Sequence, residues 1–489
     1  MPQESSTISL TANKRRNFLV KLTIACICCF IATLFGLRLY KAHNASLSES
    51  SDERRGIAKA RYAIRVSDAL NADNSSNYQR ATFPAHIKFP EDHGLHPDFK
   101  TEWWYFTGNL QTPSGREFAY QLTFIRSAIA PSAISPANEN KANDAEPPSD
   151  WGTRQIFMGH FAISDKERGL FFHSERFSRM NQNLAGCELS FDLNAQNVET
   201  KGATAVQAFK VWLYDWRVQT ESEQGKLCPT SPNKTKNPHL QDALFSPEQR
   251  STIFPLRLRA TLSPEEANGK EVELTLIIDS LKPVVLQGDN GYSPKSMSGA
   301  NASYYYSLTR LTTRGNIRIG GETFGVEGLS WLDREWSTSA LEKNQTGWDW
   351  FSLHLDDGRD LMFYRLRQKG ENNVIFADSA SAGVIVEKDG STRALRFHEV
   401  QLTPQTFWQS PVSHIASHQS SKRFPVYPSV WRFSVPSQNV ELTLTPLLPH
   451  QELLTSVRYW EGAVTVRGKQ NNKSMTGKGY VEMTGYSDE

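Results

Sequence analysis

Cysteine is scarce in this chain and is concentrated in one place. Of the five cysteines in 489 residues, three lie within a single apolar segment, at positions 26, 28 and 29. Only Cys187 and Cys228 remain, and one such pair is what an oxidising compartment would use for a single disulfide. Two buried free thiols explain the pair equally well, so the sequence leaves the bridge open.

The usual signatures of metal and nucleophile chemistry are also missing. Cys and His never recur at the spacing of a metal site, and His93 and His96 form a lone pair in a loop rich in Pro and Asp. The chain has no Gly-x-Ser-x-Gly elbow, no cysteine placed like a protease nucleophile and no glycine-rich phosphate loop. No metal site is therefore expected. A serine hydrolase is disfavoured, although a triad is recognised by geometry and can be invisible in a sequence.

Neither positive nor negative charge predominates in this chain. The net charge is +2, 22% of the residues are charged, and there is no long basic run. A protein that binds nucleic acid needs a basic patch or stripe, so we expect no nucleic-acid partner.

One run of apolar residues, at positions 18–37, is long enough to cross a membrane. About 20 residues span a bilayer, and the only charged residue in the run, Lys21, lies near one end, where its amine can reach the interface. Basic residues at 14–16 favour a cytoplasmic N-terminus of residues 1–17, although Arg38 and Lys41 follow the run. The polar stretch at 38–82 is typical of a stalk.

The absence of a convincing small-x-small cleavage site favours an uncleaved signal anchor over a signal peptide. A lipoprotein site at Cys26 is a weaker alternative, because Thr23 stands where Leu is usual. We therefore expect a single-pass protein of the inner (cell) membrane whose globular part is periplasmic or otherwise extracytoplasmic.

Aromatic residues are abundant, and their densest cluster occurs twice. The segment Thr-Glu-Trp-Trp-Tyr-Phe-Thr-Gly at 101–108 returns in weaker form as Thr-Gly-Trp-Asp-Trp-Phe-Ser at 346–352. Three further matches follow in the same order: 272–276 with 440–444, letter for letter; 305–306 with 459–460; and 328–333 with 477–482. Four matches in one order indicate an internal duplication.

Short strands dominate the chain between these matches. Period-2 alternation of apolar residues is clear at 272–278 and 440–444, and long helical patterns are scarce. Stretches rich in Pro, Ser and Asn at 131–150, 229–250 and 411–428 are typical of loops or insertions. The pattern predicts an all-β protein made of two antiparallel sandwiches or barrels, with a first domain at 83–340 and a second at 341–489.

The stretch 328–337 carries the strongest candidate for chemistry. If it is a strand, alternation places Trp331, Asp333 and Glu335 on one face. A carboxyl group between an indole and a second carboxyl group would have a raised pKa if that face lined a cavity, and it could act as a general acid. The structural alternative, which the sequence alone slightly favours, is that Asp333 pairs with an arginine at the strand end.

Two other predicted strands carry further candidates. Tyr304 and Tyr306 share a face, where phenols can orient a water molecule and aromatic rings can stabilise a developing cation. Ordinary barrel filling is the simpler explanation for either Tyr alone. Trp103 and Tyr105 also share a face, and Glu102 faces the opposite way, either as a paired buried acid or as an exposed strand start.

Together these motifs resemble the AttH-like family, which is related to the carotenoid 1,2-hydratases (hydroxyneurosporene synthase, CrtC). The resemblance covers about 83–489 and is carried, in order, by 102–108, 304–310, 328–336, 348–351 with 356–358, and 477–486. It implies two packed lipocalin-like β-barrels. Bacterial members of the family are often described as predicted secreted hydrolases and tend to be encoded near ABC-type permeases.

The hydratase relatives add water across an isoprenoid double bond without a cofactor: an acid protonates the alkene, and water captures the tertiary cation. By this resemblance the acid falls on Asp333, the aromatic residue before it on Trp331, and an upstream His-x-Trp pair on Tyr304 and Tyr306. These four are the candidate catalytic residues. The chain lacks the family's His, and this departure argues against carotenoid hydratase activity itself.

We therefore expect a membrane-anchored protein that binds or handles a hydrophobic, lipid-like or isoprenoid-like molecule, with an ABC-type permease as the partner that the resemblance suggests. The alternative is a cofactor-independent hydratase or hydrolase in which Asp333 is the general acid. The candidate ligand contacts are Glu102, Trp103, Tyr105 and Glu335.

Overall fold

The computed structural model describes residues 77–129, 153–191, 207–221, 253–299, 301–339, 341–342, 344–370, 374–412 and 424–486. The predicted membrane segment at 18–37, the stalk up to residue 76, and Cys228 lie outside these ranges. Within them, no helix has both the length and the apolar character that crossing a bilayer requires. The helical structure described there includes three short 3-10 turns, at Glu91–His93, Phe397–Glu399 and Pro436–Gln438.

The first half of the chain forms one antiparallel, barrel-like sheet. Its strands are β1 (Thr101–Gln111), β2 (Glu117–Ala128), β3 (Gln155–Asp165), β4 (Leu170–Arg179), β5 (Ala185–Phe191), β6 (Gln207–Leu213), β7 (Trp216–Thr220), β8 (Leu256–Leu262), β9 (Val272–Ser280), β10 (Val285–Leu286), β11 (Tyr292–Pro294), β12 (Ala302–Ile319) and β13 (Glu322–Ser337). The order across the sheet is β4-β3-β2-β1-β13-β12-β9-β8-β7-β6-β5, and β10 and β11 pair with the end of β12.

The second half forms a smaller sheet of the same kind. Its strands are β14 (Gln345–Leu355), β15 (Asp360–Lys369), β16 (Ile375–Ala377), β17 (Ala382–Val386), β18 (Thr392–Arg396), β19 (Gln401–Pro404), β22 (Trp431–Val435), β23 (Val440–Pro446), β24 (Glu452–Leu454), β25 (Arg458–Gln470) and β26 (Lys473–Thr484), while β20 (Phe407–Gln409) and β21 (Val426–Pro428) form a separate ribbon. The order is β18-β17-β15-β14-β26-β25-β23-β22-β19.

The two sheets share one topology at their centres. The series β2-β1-β13-β12-β9-β8 of the first sheet is reproduced as β15-β14-β26-β25-β23-β22 in the second. Each of the four repeated sequence motifs lies on equivalent strands: β1 and β14, β9 and β23, β12 and β25, and β13 and β26. The all-β class and the internal duplication predicted from the sequence are therefore confirmed.

Buried side chains form three clusters, one inside each sheet and one between the sheets. Strand β1 shows how a single strand serves two of them: Trp104 and Phe106 belong to the core of the first sheet, whereas Tyr105 belongs to the cluster shared with the second sheet. Trp331 and Trp350 join that shared cluster from β13 and β14. Because successive side chains of a strand point to opposite faces, the central strands are buried on both sides.

A buried ion-pair network holds the start of β1 to its neighbours. Arg126 Nε donates to Glu102 Oε1 at 2.8 Å, and Arg334 donates to the other oxygen of the same carboxylate. All three side chains are fully buried. Burial alone would raise the pKa of Glu102, but the guanidinium groups of Arg334 and Arg126 outweigh it and hold that pKa well below the usual range. Of the two alternatives left open above, Glu102 is thus the paired buried acid.

Breaking this network should destabilise the protein strongly. Replacing Arg126 by Ala leaves the buried carboxylate of Glu102 short of one of its two guanidinium partners, which typically costs about 3–5 kcal/mol of unfolding free energy. Urea unfolding of Arg126→Ala and wild type measures this loss. Arg168→Ala, which removes the exposed partner of Glu322, is the control and should change stability little. Equal, small losses in both variants would contradict the structural role assigned to the network.

Candidate functional site

A cavity of about 200 Å³ lies between the two sheets. Strands β1, β2, β3, β12 and β13 of the first sheet and β14, β15, β25 and β26 of the second all contribute side chains to its wall. Most of the lining is aromatic or aliphatic, and it includes Trp103, Trp348, Trp350, Ile125 and Leu366. Four carboxyl groups interrupt this apolar surface: Asp333, Glu335, Glu461 and Glu482.

Asp333 is held by three hydrogen-bond donors on its own and the neighbouring strand. The Tyr305 hydroxyl donates to Oδ2 at 2.6 Å, and the Ser307 hydroxyl and the Trp331 indole donate to Oδ1 at 2.5 and 2.7 Å. Trp350 Nε1, from the second sheet, donates to the Tyr305 hydroxyl at 3.3 Å. The carboxyl group therefore has a fixed orientation on the cavity wall.

The environment of Asp333 favours its protonated form. Burial raises the pKa of this carboxyl group to about 7, and the nearby Glu335 contributes to the rise. The donors Ser307, Tyr305 and Trp331 act in the opposite direction, because they stabilise the carboxylate. A carboxyl group with this pKa can carry a proton near neutral pH, and here it faces an apolar cavity.

Glu335, two residues further along β13, has a partner of opposite charge. Lys295 Nζ lies 2.9 Å from Glu335 Oε1, and the Ser303 hydroxyl donates to the same oxygen. Burial alone would lower the pKa of Lys295, but the Glu335 carboxylate outweighs it and raises that pKa. The Lys295 ammonium also lies 4.3 Å from the centre of the Tyr364 ring. The opposite charges of Glu335 and Lys295 therefore cancel on this part of the cavity wall.

The other two carboxyl groups come from the second repeat. Glu461 on β25 and Glu482 on β26 are directly opposite each other in the strand register. Burial raises the pKa of both, and for Glu461 the Glu482 charge is the next largest cause. By the duplication, Glu482 is the counterpart of Asp333, and Glu461 is the counterpart of Ser307.

A hydrogen-bonded chain leads from Tyr459, on the cavity wall, toward the surface. Tyr459 and His160 both line the cavity, and the Tyr459 hydroxyl lies 2.6 Å from His160 Nδ1. His160 Nε2 lies 2.9 Å from Glu175 Oε1, whose side chain is 15% exposed. The Ser456 hydroxyl donates to the same Glu175 oxygen at 2.6 Å. Side chains from both halves of the chain thus form one polar path.

The structure brings together most of the candidates read from the sequence. Asp333, Glu335, Trp103 and Tyr105 line the cavity, and Trp331 contacts Asp333 through its indole.

Three candidates lie on the other face of their strands. Tyr306 is in the core of the first sheet, with its hydroxyl 2.6 Å from His93 Nδ1, and the Tyr304 hydroxyl bonds Thr82. Glu102 is in the ion-pair network. The Cys187–Cys228 disulfide stays a prediction, because only Cys187 is in the described ranges.

Sequence reasoning did not single out Tyr305, Ser307, Glu461 and Glu482. Tyr305 and Ser307 lie on the face of β12 opposite to that of Tyr304 and Tyr306, and only the register, in which Ser307 is opposite Asp333, shows that this face is the one beside the acid. For Glu482 a signal existed: it occupies the place of Asp333 in the matched segments 328–333 and 477–482. Within the described ranges, no three His, Cys, Asp or Glu side chains are grouped as metal ligands would be.

Comparison with known proteins identifies the family. The AttH-like family model matches residues 80–486. The chain belongs to the AttH-like family. Kievitone hydratase from Fusarium solani subsp. phaseoli is 24% identical over 228 residues, which are 44% of this chain and 58% of that protein, so the match spans little more than half of the relative's length.

Two solved structures resemble most of this chain. A protein from Nitrosomonas europaea assigned as AttH is 29% identical, with a TM-score of 0.57 over 83% of this chain and 99% of that one. Kievitone hydratase from Nectria haematococca has a TM-score of 0.50 at 14% identity, over 84% of this chain and 97% of that one, a likeness of fold alone. The lipocalin-like double-barrel architecture predicted above is thus confirmed.

Burial of Asp333 should make stability depend on pH in a defined direction. The pKa of Asp333 is higher in the folded than in the unfolded protein. The contribution of Asp333 to the free energy of unfolding is therefore fully present below about pH 4 and is lost as pH rises through about 7. Asp333→Asn removes this dependence. Between pH 5 and pH 8 the variant should therefore gain on the order of 2–3 kcal/mol relative to wild type. Urea unfolding at both pH values measures the difference, and a constant difference would contradict the raised pKa.

Proposed function

We propose that this protein is a cofactor-independent hydratase that adds water across an isolated double bond of an isoprenoid-like group. One observation carries the proposal: Asp333 is a buried carboxyl group, with a pKa near 7, on the wall of an aromatic cavity. The relationship to kievitone hydratase supports the same reaction class. Because of this geometry, we favour the catalytic alternative over the binding function that we expected from the sequence.

The first step is transfer of the Asp333 proton to the alkene. The π electrons form a new C–H bond at the less substituted carbon, and the more substituted carbon becomes a cation. Asp333 is left as a carboxylate, stabilised by the three donors Tyr305, Ser307 and Trp331. These donors favour the charged product of the step over its neutral start, which is the differential stabilisation that lowers a barrier.

The cavity also suits the cation that forms. Aromatic faces attract a positive charge by about 0.5–2 kcal/mol each, and Trp103, Trp348, Trp350 and Tyr364 all line the wall. Capture of the cation by water then gives a tertiary alcohol. The apolar lining limits the number of competing water molecules, so that the carboxyl groups control where water can be held.

The size of the cavity limits the substrate. An engineered apolar cavity of about 150 Å³ holds a benzene molecule, and this cavity is about 200 Å³. A five-carbon prenyl group fits this space, whereas the bulk of a long polyene does not. We therefore expect the reactive end of an isoprenoid or prenylated substrate to enter while the rest of the molecule lies outside.

Binding of a hydrophobic ligand without turnover is the second candidate, and the mainly apolar lining supports it. For this second candidate, the membrane anchor at 18–37, an extracytoplasmic location and an ABC-type partner remain predictions. Mass spectrometry of lipids that co-purify with the full chain in detergent tests it. An empty protein with no measurable lipid affinity would exclude this candidate.

Asp333→Asn should abolish hydration. Loss of a general acid typically costs 10²–10⁴-fold in rate, so we expect at least a roughly 100-fold fall in tertiary alcohol formed from a panel of linear isoprenoids and prenylated phenols. Chromatography with mass detection measures the product. Asp389→Asn, at an exposed turn, is the matched control and should behave as wild type. Equal turnover by wild type and Asp333→Asn would rule out Asp333 as the acid.

The pH profile should report the same carboxyl group. Activity that needs protonated Asp333 falls as pH rises through about 7. Tyr305→Phe removes a donor that stabilises the carboxylate, so the midpoint should move upward by about 1–2 units. Tyr214→Phe, at an exposed turn, is the control. A downward shift, or none, in Tyr305→Phe would contradict the assigned hydrogen bond.

A further inference from the structure

Hydration requires two proton transfers, and Asp333 accounts for only one of them. The water that captures the cation must lose a proton, and some group on the cavity wall must accept it. Glu335 is already neutralised by Lys295 at 2.9 Å. The remaining carboxyl groups on the wall are Glu461 and Glu482, both from the second repeat.

Many of the other buried acids described in this protein are paired with cations: Glu102 with Arg126 and Arg334, Asp349 with Arg365 and Arg367, Asp360 with Arg310 and Lys282, and Glu452 with Arg458. Asp333 has no cation partner but is held by three hydrogen-bond donors. In the described ranges, neither Glu461 nor Glu482 has an Arg, Lys or His at ion-pair distance. A buried acid beside a half-buried one, with no cation for either, is costly, so a purely structural role explains them poorly.

The oxygens of Glu461 are also available for a new hydrogen bond. Both are buried, and neither has a well-formed hydrogen-bond partner among the described residues, although the Tyr105 and Tyr459 hydroxyls lie near enough to stabilise the anion. The pair faces the cavity from β25 and β26, while Asp333 faces it from β13. A buried acceptor aimed into a cavity is a suitable place for a water molecule.

We propose that the Glu461–Glu482 pair binds the attacking water and accepts its proton, so that the first repeat supplies the acid and the second repeat supplies the base. This inference rests on the proposed hydratase function. It assigns catalytic roles to two residues that the resemblance to known families did not mark, and it makes the second barrel part of the reacting site.

The proton balance closes within the cavity. Asp333 gives its proton to the alkene, a water oxygen forms the C–O bond, and one water proton passes to the shared site between Glu461 and Glu482. Alkene and water have then become a tertiary alcohol. The proton held by the pair returns to the Asp333 carboxylate, either directly or through a water molecule, and restores the starting state without an oxidant or reductant.

Several titratable groups face the pair and will shape its behaviour. From the first sheet these are Asp333, Glu335 and Tyr105; from the second sheet they are Tyr459 and Tyr480. Two carboxyl groups this close share protons in macroscopic steps, so a half-ionised pair exists over a range of pH. That state has both an acceptor for the proton of water and a donor that can orient its oxygen.

The cation can either capture water or revert to alkene. The ratio of these two outcomes distinguishes the acid role of Asp333 from the base role of the Glu461–Glu482 pair. In D2O, Asp333 carries deuterium, so a cation that reverts to alkene without capturing water returns deuterium-labelled substrate. In Glu482→Gln and Glu461→Gln, protonation should continue while capture slows. We expect alcohol formation to fall roughly 10²-fold, and the ratio of alcohol to labelled alkene to fall at least about tenfold. Glu327→Gln, on the exposed end of β13, is the control. Asp333→Asn should lose both products.

The outcomes distinguish the two proposals. Loss of alcohol and of label to the same extent in the Gln variants would overturn the base role while leaving the hydratase intact, as would unchanged alcohol formation. If wild type forms neither product from any substrate, the hydratase proposal fails, and the base role fails with it.

Infrared spectra add a test that needs no substrate. A carboxylic acid C=O band should be present in wild type at pH 7 and should weaken in the double variant Glu461→Gln/Glu482→Gln. A band unchanged in the double variant would show that neither acid carries a proton at this pH and would remove the shared-proton site, whatever the activity.

Discussion

The central strands of both sheets have to be buried on two faces at once. One face of β1, β12 and β13 fills the first barrel, and the other meets the second barrel, so few positions on these strands are left for a polar group without a partner. The acids that do occur there either pair with a cation, as Glu102 does with arginine and Glu335 does with lysine, or have a raised pKa, as Asp333 does. The structural and the reactive carboxyl groups of this protein thus arise from one constraint, and the presence of a cation partner decides between them.

The duplication determines where the reactive groups meet. Because the two copies pack through the outer faces of equivalent strands, matched positions in the sequence come to lie on opposite walls of a common cavity. Asp333 and Glu482 are such a pair. The cavity is therefore a product of the packing between the copies, and neither barrel contains it alone.

Much of this arrangement could be predicted from the sequence, and the reasons for the remainder are physical. Alternation and the repeated motifs predict the all-β class, the duplication and the shared face of Trp331, Asp333 and Glu335. Alternation cannot say which face of a doubly buried strand meets the acid, since both are apolar. The resemblance placed Tyr304 and Tyr306 with Asp333, whereas the structure has Tyr305 and Ser307 there. The role of Glu102 could not be predicted for a different reason. Its ion-pair partners Arg126 and Arg334 are distant in the sequence and come close only through strand pairing.

The joining of two copies in one chain has a consequence for how a ligand can lie in the cavity. A site between two identical subunits would present the same residue on both walls, and a ligand turned end for end would meet the same surroundings. Here the copies have diverged: one wall carries an aspartate held by a tyrosine, a serine and a tryptophan, and the other carries a glutamate where the serine would be. The two walls of the cavity are therefore chemically different. A flat double bond that binds between them presents one face to each wall, so its two faces are not interchangeable.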